Sequence, residues 1–207
     1  MVIKTAIFGA GHNAATVVWN KKRGFYPEIE IVGFIDDYKK GDWCKLPIVG
    51  TSTDFESLKD EGIEGIIVTA VAKPRERLNL CQRISDMGFL SPKIIPELPE
   101  WVQVGKGVYL DPTAVLNGVD IILEDYVIVG PLAFVEGGVK LRKGAIAMAQ
   151  SFIGYESIIG EASCVCPKAI VKPKCVIGKD CYINPAKVLQ MGMELKDGST
   201  YPALERM

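Results

Sequence analysis

The strongest constraint on the fold of this chain is an apolar residue that recurs at every sixth position between Leu123 and Leu189. Twelve consecutive positions keep this phase: Leu123, Val129, Val135, Leu141, Ala147, Ile153, Ile159, Val165, Val171, Ile177, Ile183 and Leu189. A second series, four residues after each of these, consists mainly of small side chains: Val127, Ala133, Val139, Ala145, Ser151, Ser157, Ser163, Ala169, Cys175 and Cys181. The next member of that series, Lys187, breaks the rule. A period of six fits neither the 3.6-residue helix nor the two-residue alternation of a strand.

This period predicts a solenoid in which each hexapeptide forms one short strand and one corner. Both series would point inward, and proline and glycine would turn the corners. Four prolines keep one phase, two residues after the lead apolar position: Pro131, Pro167, Pro173 and Pro185. Three hexapeptides would close a triangular coil of 18 residues, and successive coils would stack about 4.8 Å apart.

The solenoid begins before Leu123, because the same step of six already links Val104, Leu110, Leu116 and Ile122. Leu123 then resumes the phase one residue late, which predicts a one-residue bulge near residues 120–123. We expect four to five coils in all, followed by a final loop at residues 196–203.

Composition excludes several classes of function. The 207 residues carry a net charge of −1 with no basic block, so we expect no nucleic-acid partner. We expect no membrane partner either, since no apolar segment reaches bilayer length and the first residues lack a signal-peptide layout.

The six cysteines lack the spacing of a disulfide scaffold and indicate a reduced, cytoplasmic protein. Cys164 and Cys166 flank the inward Val165, so both should face outward. Further ligands are missing from the sequence around them, and we therefore expect no metal.

The first half of the chain alternates strand and helix patterns. A β-rich run at residues 4–8 leads into Gly9, Gly11 and His12, and a helix follows. The spacing Gly-x-Gly-x-x-Ala matches a dinucleotide-binding turn, in which a helix N-terminus faces phosphate. The alternative is a tight turn that binds nothing, with His12 facing solvent.

Later elements complete a small parallel α/β domain of Rossmann-like type, over residues 1–96. A second strand ends at Asp36 and Asp37, where a ribose- or base-binding acid would lie, although both are also ordinary turn formers. Further on, Pro74 opens a helix and residues 93–95 form a last strand. Only one mononucleotide half fits this length, so a mononucleotide or nucleotide-linked sugar is favoured over NAD.

An α/β nucleotide domain followed by a hexapeptide solenoid, residues 97–207, resembles the bacterial sugar O-/N-acyltransferases. These include pilin-glycan amino-sugar N-acetyltransferases and relatives of sialic acid O-acetyltransferases. The resemblance rests on residues 7–12, 33–37, 46–50, 72–75 and 159–169. It implies a left-handed parallel β-helix, a homotrimer, acetyl-CoA bound between solenoids, and a nucleotide-linked sugar in the N-terminal domain. It also implies that the sugar nucleotide is contacted by Gly9, Gly11, His12, Asp36, Asp37 and Arg75.

The catalytic positions of that family carry different residues in this chain. The histidine base of the family falls on Tyr155, its neighbouring acid on Glu156, and a second histidine near the acyl group on Cys164. A tyrosine with an ordinary pKa of about 10 is a poor base at neutral pH. Glu156 would serve as a base if burial raised its pKa, and Cys164 would serve as a nucleophile only if its pKa were lowered.

Two hypotheses follow from this departure. The chain is either an acyl-CoA-dependent sugar acyltransferase with atypical catalytic residues, or an inactive relative that binds a ligand or acts as a scaffold. In the second case Tyr155 and Glu156 only occupy a corner and Cys164 packs against a neighbouring subunit. An NAD-dependent oxidoreductase is disfavoured, because the solenoid would have no role in it.

Overall fold

The computed structural model describes residues 2–69 and 73–202, and these divide into two compact units, Met1–Pro92 and Lys93–Met207. The division falls four residues before the boundary expected from the sequence. Its cause is Ile94, whose backbone bonds to Val108 and Leu110 and bridges Tyr109 in parallel, within the second unit. The predicted strand at residues 93–95 of the α/β domain is therefore wrong, because Ile94 extends the first coil of the solenoid instead. Within the described ranges, no helix is long and apolar enough to cross a bilayer.

The first unit is a five-stranded sheet with helices, in the strand order β3-β4-β2-β1-β5. Its elements are β1 (Ile3–Phe8), α1 (His12–Lys22), β2 (Ile29–Ile35), β3 (Asp42–Trp43), β4 (Leu46–Gly50), α2 (Phe55–Asp60), β5 (Gly65–Val68) and α3 (Pro74–Asp86). Strands β4, β2, β1 and β5 are parallel, and β3 is antiparallel to β4. All four residues of β5 are buried, as expected for a strand covered on both faces.

The hairpin that joins β3 to β4 was not apparent in the sequence. Its two turn residues, Cys44 and Lys45, have φ of 51° and 63°. Such left-handed pairs normally carry asparagine, aspartate or glycine, so this turn gave no sequence signal.

The second unit is a parallel β-helix of short strands. Its strands are β6 (Val102–Val104), β7 (Tyr109–Leu110), β8 (Val115–Asn117), β9 (Ile121–Leu123), β10 (Ile128–Val129), β11 (Phe134–Glu136), β12 (Lys140–Leu141), β13 (Ile146–Ala147), β14 (Phe152–Ile153), β15 (Ile158–Ile159), β16 (Cys164–Val165), β17 (Ile170–Val171), β18 (Val176–Ile177), β19 (Tyr182–Ile183), β20 (Val188–Leu189), β21 (Glu194–Leu195) and β22 (Thr200–Tyr201). They form three parallel sheets, which are the faces of a triangular coil. The first face holds β7, β10, β13, β16, β19 and β22; the second holds β8, β11, β14, β17 and β20; the third holds β6, β9, β12, β15, β18 and β21.

The inward phase predicted from the sequence is confirmed. All twelve lead apolar residues are at most 2% exposed, and the small residues of the second series are buried as well. Lys187, which breaks the series, is exposed. Partner residues on successive coils are 18 apart, as with Val135 and Ile153. The interior is therefore a stack of equivalent apolar layers.

The bulge is confirmed, and so is its size of one residue. Strands of the first coil pair with residues 19 further on, such as Leu116 with Val135, while β9 already pairs at 18, as Leu123 does with Leu141. The extra residue therefore lies in the corner at residues 118–120, just before β9. The predicted final loop is wrong in part, because β21 and β22 continue the solenoid to Tyr201. Residue 203 of that loop lies outside the described residues.

The corners are built differently from the expectation. The residue three after each lead position takes a left-handed conformation, with φ near 60°, and most of these residues are not glycine. Examples are Glu156 at 58°, Lys168 at 60° and Lys174 at 62°. Proline often precedes this residue, but glycines such as Gly160 have no such φ. A Cβ at Gly160 would lie 2.1 Å from the carbonyl oxygen of Gly178, so this glycine permits close stacking of coils.

Candidate functional site

The predicted sugar-nucleotide residues lie at one edge of the α/β sheet. Gly9 follows β1, Asp36 follows β2, and Thr69 follows β5. These three strands are parallel neighbours, so their carboxyl ends share the edge at which ligands bind in such sheets. Gly9 has a φ of 88°, which a side chain would strain, whereas Gly11 is extended and has open space where a Cβ would stand.

Asp36 holds the glycine turn in place. One carboxylate oxygen accepts a hydrogen bond from the Ala10 N–H at 2.8 Å, and the other accepts from the N–H groups of Tyr38 and Lys39 at 3.0 and 2.9 Å. Burial alone would raise the pKa of Asp36, but these hydrogen bonds and the charge of Lys39 outweigh it and lower that pKa. Asp37 is engaged as well, since it accepts from the Ser52 N–H at 2.6 Å. Both acids therefore have structural roles at this edge.

Two residues that the sequence analysis missed, Lys39 and Trp43, lie beside the turn. The ammonium group of Lys39 donates to the Ala10 carbonyl oxygen and stands 3.8 Å from the centre of the Trp43 ring. The exposed His12 ring lies 6.5 Å from Trp43, edge to face. The Trp43 indole N–H is buried and has no hydrogen-bond acceptor among the described residues. The β3–β4 hairpin positions this indole, which is why sequence analysis did not find it.

Arg75 lies in the first turn of α3, at the same edge of the sheet. The loop before it, residues 70–72, lies outside the described residues, and so does Ala72 of the motif at residues 72–75. Next in the helix, the buried Arg77 donates through Nε to the Val68 carbonyl oxygen at 2.9 Å. This bond ties the start of α3 to the end of β5.

On the solenoid, Tyr155 and Glu156 form the corner between the second and third faces. Glu156 is exposed, and its carboxylate lies 3.7 Å from the ammonium group of Lys174, one coil further on. The same ammonium group is 5.8 Å from the centre of the Tyr155 ring. Glu136, on the coil before, accepts from the Tyr155 backbone N–H at 2.8 Å. Within the single chain, the Glu156 carboxylate is not buried.

Cys164 lies on the first face, which is opposite that corner. The sequence analysis expected Cys164 to face outward, away from the coil interior, and the residue is nevertheless buried, at 1% exposure. The Sγ atoms of Cys164 and Cys166 are 3.9 Å apart. The hydrogen bond with Cys166 and burial raise the pKa of Cys164, whereas the hydrogen bond from Cys164 lowers the pKa of Cys166. One chain therefore does not bring Cys164 together with Tyr155 and Glu156.

A groove runs along the third face and reaches the corner that follows β15, at Gly160 and Glu161. One part, of about 450 Å³, has the glycines Gly160 and Gly178 in its lining, together with Arg142, Lys143 and Lys179. A second part, of about 300 Å³, shares Glu124 and Lys143 with the first. Arg142 pairs with Glu124 at 2.6 Å. The result is a shallow groove with a partly apolar, glycine-containing lining, and the charged residues of its first part are three bases and three acids: Arg142, Lys143, Lys179, Glu124, Glu161 and Asp197. Among the residues described, no group of three or more histidine, cysteine, aspartate or glutamate side chains is placed to hold a metal.

Comparison with solved structures places this architecture among the sugar acetyltransferases. The chain superposes on the acetyltransferase domain of PglB from Neisseria gonorrhoeae FA1090, in complex with acetyl coenzyme A, with a TM-score of 0.85 and 25% identity. That match covers 97% of this chain and 96% of the Neisseria domain. PerB from Caulobacter crescentus, in complex with CoA and GDP-perosamine, matches with a TM-score of 0.86 and 21% identity. It covers 100% of this chain and 99% of that one.

No protein-family model matches the sequence. No curated protein matches it either. The structural neighbours are hexapeptide-repeat sugar acetyltransferases, and the resemblance inferred from the sequence is thereby confirmed.

Proposed function

We propose that this chain transfers an acyl group, with acetyl as the first candidate, from coenzyme A to an amino or hydroxyl group of a nucleotide-linked sugar. The observation that carries the proposal is the likeness to the Neisseria acetyltransferase domain, which spans nearly the whole of both chains and was determined with acetyl coenzyme A. The complex of PerB with CoA and GDP-perosamine supports the same donor and a nucleotide-sugar acceptor. We assign the reaction to the cytoplasm, since all six cysteines are free thiols.

The α/β unit is proposed to bind the nucleotide-linked sugar, as a Rossmann-like domain with a single mononucleotide half. Gly11 leaves its Cβ position open, and helix α1 has no side-chain cap at its N-terminus, so its first N–H groups are available to phosphate oxygens. His12 stands at that terminus, and Arg75 at the same edge of the sheet would add a positive charge. Asp36 and Asp37 would act mainly by holding the turn, because backbone N–H groups already occupy their carboxylates.

A homotrimer would supply what one chain lacks. Tyr155 and Glu156 lie nine and eight residues before Cys164, about half of an 18-residue coil, and so they lie on the opposite side of the triangle from it. Two neighbouring solenoids that place the corner of one against the first face of the other would bring the two sets together. The partly exposed Met148 and Ile170 offer apolar surface for such contacts. We propose a left-handed β-helix assembled in this way.

The chemistry requires loss of a proton from the acceptor and stabilisation of an oxyanion. The acceptor nitrogen or oxygen attacks the thioester carbonyl carbon, the carbon–sulfur bond breaks, and coenzyme A leaves as a thiolate. We assign the proton to Glu156, whose carboxylate would lose water contact if a second subunit covered the corner. Lys174 and Tyr155 would place a cation and a hydroxyl donor next to that carboxylate. Cys164 would lie near the acyl group as a weak thiol donor.

The test is release of coenzyme A from acetyl-CoA with a panel of UDP- and GDP-linked amino sugars. Glu156→Gln should lower kcat by about 10²–10⁴-fold, the usual contribution of a positioned base. Glu61→Gln is the matched control, because Glu61 is an exposed glutamate of the α/β unit. Unchanged turnover in Glu156→Gln would remove the proposed role of this residue.

The alternative, an inactive relative that binds ligand or serves as a scaffold, is favoured by one observation. Glu156 is exposed to solvent and paired with Lys174 at 3.7 Å, so in the single chain it has the surroundings of an ordinary surface carboxylate. Thermal shifts distinguish the two functions, because a ligand that binds only the folded state raises the apparent Tm. Stabilisation by acetyl-CoA and a nucleotide sugar without any coenzyme A release would establish the inactive relative.

A further inference from the structure

Cys164 and Cys166 stand side by side on the first face of the solenoid. Both lie on β16 or directly after it and flank Val165, whose side chain is buried in the interior. Their Sγ atoms are 3.9 Å apart. Cys164 is almost completely covered, and Cys166 is half-buried. The proposed acyl transfer gives Cys166 no role, so this pair of thiols requires its own explanation.

The neighbours of this pair on adjacent coils are uncharged. By strand register, Ile146 and Tyr182 lie beside Cys164. Met148 lies beside Cys166 on the coil before, because its N–H bonds to the Val165 carbonyl oxygen at 2.9 Å. Methionine has a flexible thioether arm, and here it is 36% exposed. By register, the pair of thiols therefore has Met148 beside Cys166 on the coil before and Asn184 beside Cys166 on the coil after.

The geometry of the pair disfavours a disulfide. Residues two apart on a strand have Cα atoms about 6.6–6.8 Å apart, at the far end of the range for disulfides. The Cβ atoms of a disulfide must also approach to about 3.8 Å, which the strand backbone opposes. By contrast, two thiolates on one ion, each with a metal–sulfur bond of about 2.3 Å, lie about 3.8–4.0 Å apart. The observed separation of 3.9 Å lies within that interval.

We propose that Cys164, Cys166 and Met148 form a binding site for a soft, thiophilic metal ion of the Cu(I) type. Thiolate and thioether ligands select Cu(I), whereas Zn²⁺ favours four ligands that include histidine or further cysteines. Binding would release the two thiol protons and leave the ion three-coordinate. This site departs from the expectation, drawn from the sequence, that the chain binds no metal.

The test is an anaerobic titration of the full chain with Cu(I), in competition with a chromogenic Cu(I) chelator. We expect one ion per chain. Cys164→Ser and Cys166→Ser should each weaken binding by more than about 100-fold, the upper cost of losing an outer-shell partner, and Met148→Leu by about tenfold. Cys44→Ser is the matched control, because Cys44 is a partly exposed free thiol of the other unit, and it should bind like the parent chain. Binding that survives both serine substitutions, or no binding at all, would overturn the proposal.

A second measurement uses the parent chain alone and so does not depend on folding of the variants. Cu(I) should protect Cys166 from alkylation, read by mass spectrometry of its peptide, while Cys44 is alkylated as before. The opposite result is a mass decrease of two hydrogens in the Cys164–Cys166 peptide under mild oxidation, with no protection of Cys166 by Cu(I). It would show that the pair forms a disulfide and would refute the metal site. Neither measurement involves acyl-CoA or a sugar, so failure here leaves the proposed acyl transfer untouched.

Discussion

Replacement of Gly160 by alanine tests whether the solenoid glycines exist for coil stacking. A Cβ at this position would lie 2.1 Å from the carbonyl oxygen of Gly178 and 2.3 Å from its carbonyl carbon. Non-bonded carbon contacts are optimal at about 3.5–4.0 Å, so the two coils would have to separate by more than about 1 Å. The atoms that the new Cβ would contact belong to the backbone, which cannot move aside as easily as a flexible side chain.

The separation would break interactions that the structure identifies. The Ser163 hydroxyl donates to the Gly178 carbonyl oxygen at 2.7 Å and accepts from the Cys181 N–H at 2.8 Å. Overpacking of this kind costs about 1–3 kcal/mol, and each hydrogen bond adds about 0.5–1.5 kcal/mol. We therefore expect Gly160→Ala to lose at least about 2 kcal/mol, which lowers Tm by at least about 4–8 °C for a chain of this size.

Gly130→Ala is the matched control, because Gly130 also follows a lead apolar residue but its Cβ would meet no atom closer than 3.1 Å. Alanine reduces the conformational entropy of the unfolded chain, which stabilises the fold by about 0.4–1 kcal/mol, so this control should change Tm by only a few degrees. Calorimetry at one fixed scan rate compares the three proteins. If Gly160→Ala melts within about 2 °C of the parent chain, or if Gly130→Ala loses as much, the stacking explanation is refuted.

Three further predictions concern the α/β unit and the assembly. Asp36→Asn should destabilise the chain by roughly 1–2 kcal/mol at neutral pH; because the folded-state pKa of Asp36 is lowered, this stabilisation is present above the unfolded pKa of about 3.9 and is lost as pH falls through the folded-state value. Urea denaturation at pH 7 and pH 3 should thus show the gap between variant and parent shrinking at the lower pH, and a gap that widens there would contradict the assignment. Lys39→Met should weaken binding of a nucleotide-linked sugar about tenfold by calorimetric titration, since its ammonium group lies at the glycine turn, whereas Lys59→Met, on α2, should leave it unchanged. Ile170→Glu should convert the proposed trimer to monomers in light scattering, because a charge would be buried in an apolar contact, and a trimer that persists would place the interface elsewhere.

The repeat period made the solenoid predictable, and the reason is physical. Each inward residue meets only its counterparts one coil above and one below, so a local pattern fixes the whole interior. Val135, Ile153 and Val171 are such a column, and all three are fully buried. The single slip before Leu123 was visible for the same reason. By contrast, the isoleucine-rich run at residues 93–95 carried no mark of which unit it would join, and a backbone bridge to Tyr109 decided that.

The candidate sites were predictable only in part. The glycine turn and Asp36 were found because their spacing reflects backbone geometry, but the bonds that occupy Asp36 come from Ala10, Tyr38 and Lys39 and depend on the folded turn. Trp43 was missed because its hairpin lacks the usual turn residues. Tyr155 and Cys164 are nine residues apart in the sequence, which is half of an 18-residue coil. Once the coil is known to be a closed triangle, this spacing puts the two residues on opposite sides of it.

Because its coils repeat, the second unit has a length that is proportional to its number of coils. Each turn adds 18 residues and one strand spacing, about 4.8 Å, along the axis. Excision of residues 172–189 would join Val171 to Gln190, which is the equivalent of Lys172 one coil later. Every inward position would stay in phase, and the groove along the third face would become one strand spacing shorter. Excision of 17 or 19 residues from the same place would turn the interior outward. In the proposed acyltransferase, the length of donor that fits along the solenoid would therefore be set by the number of turns in the chain.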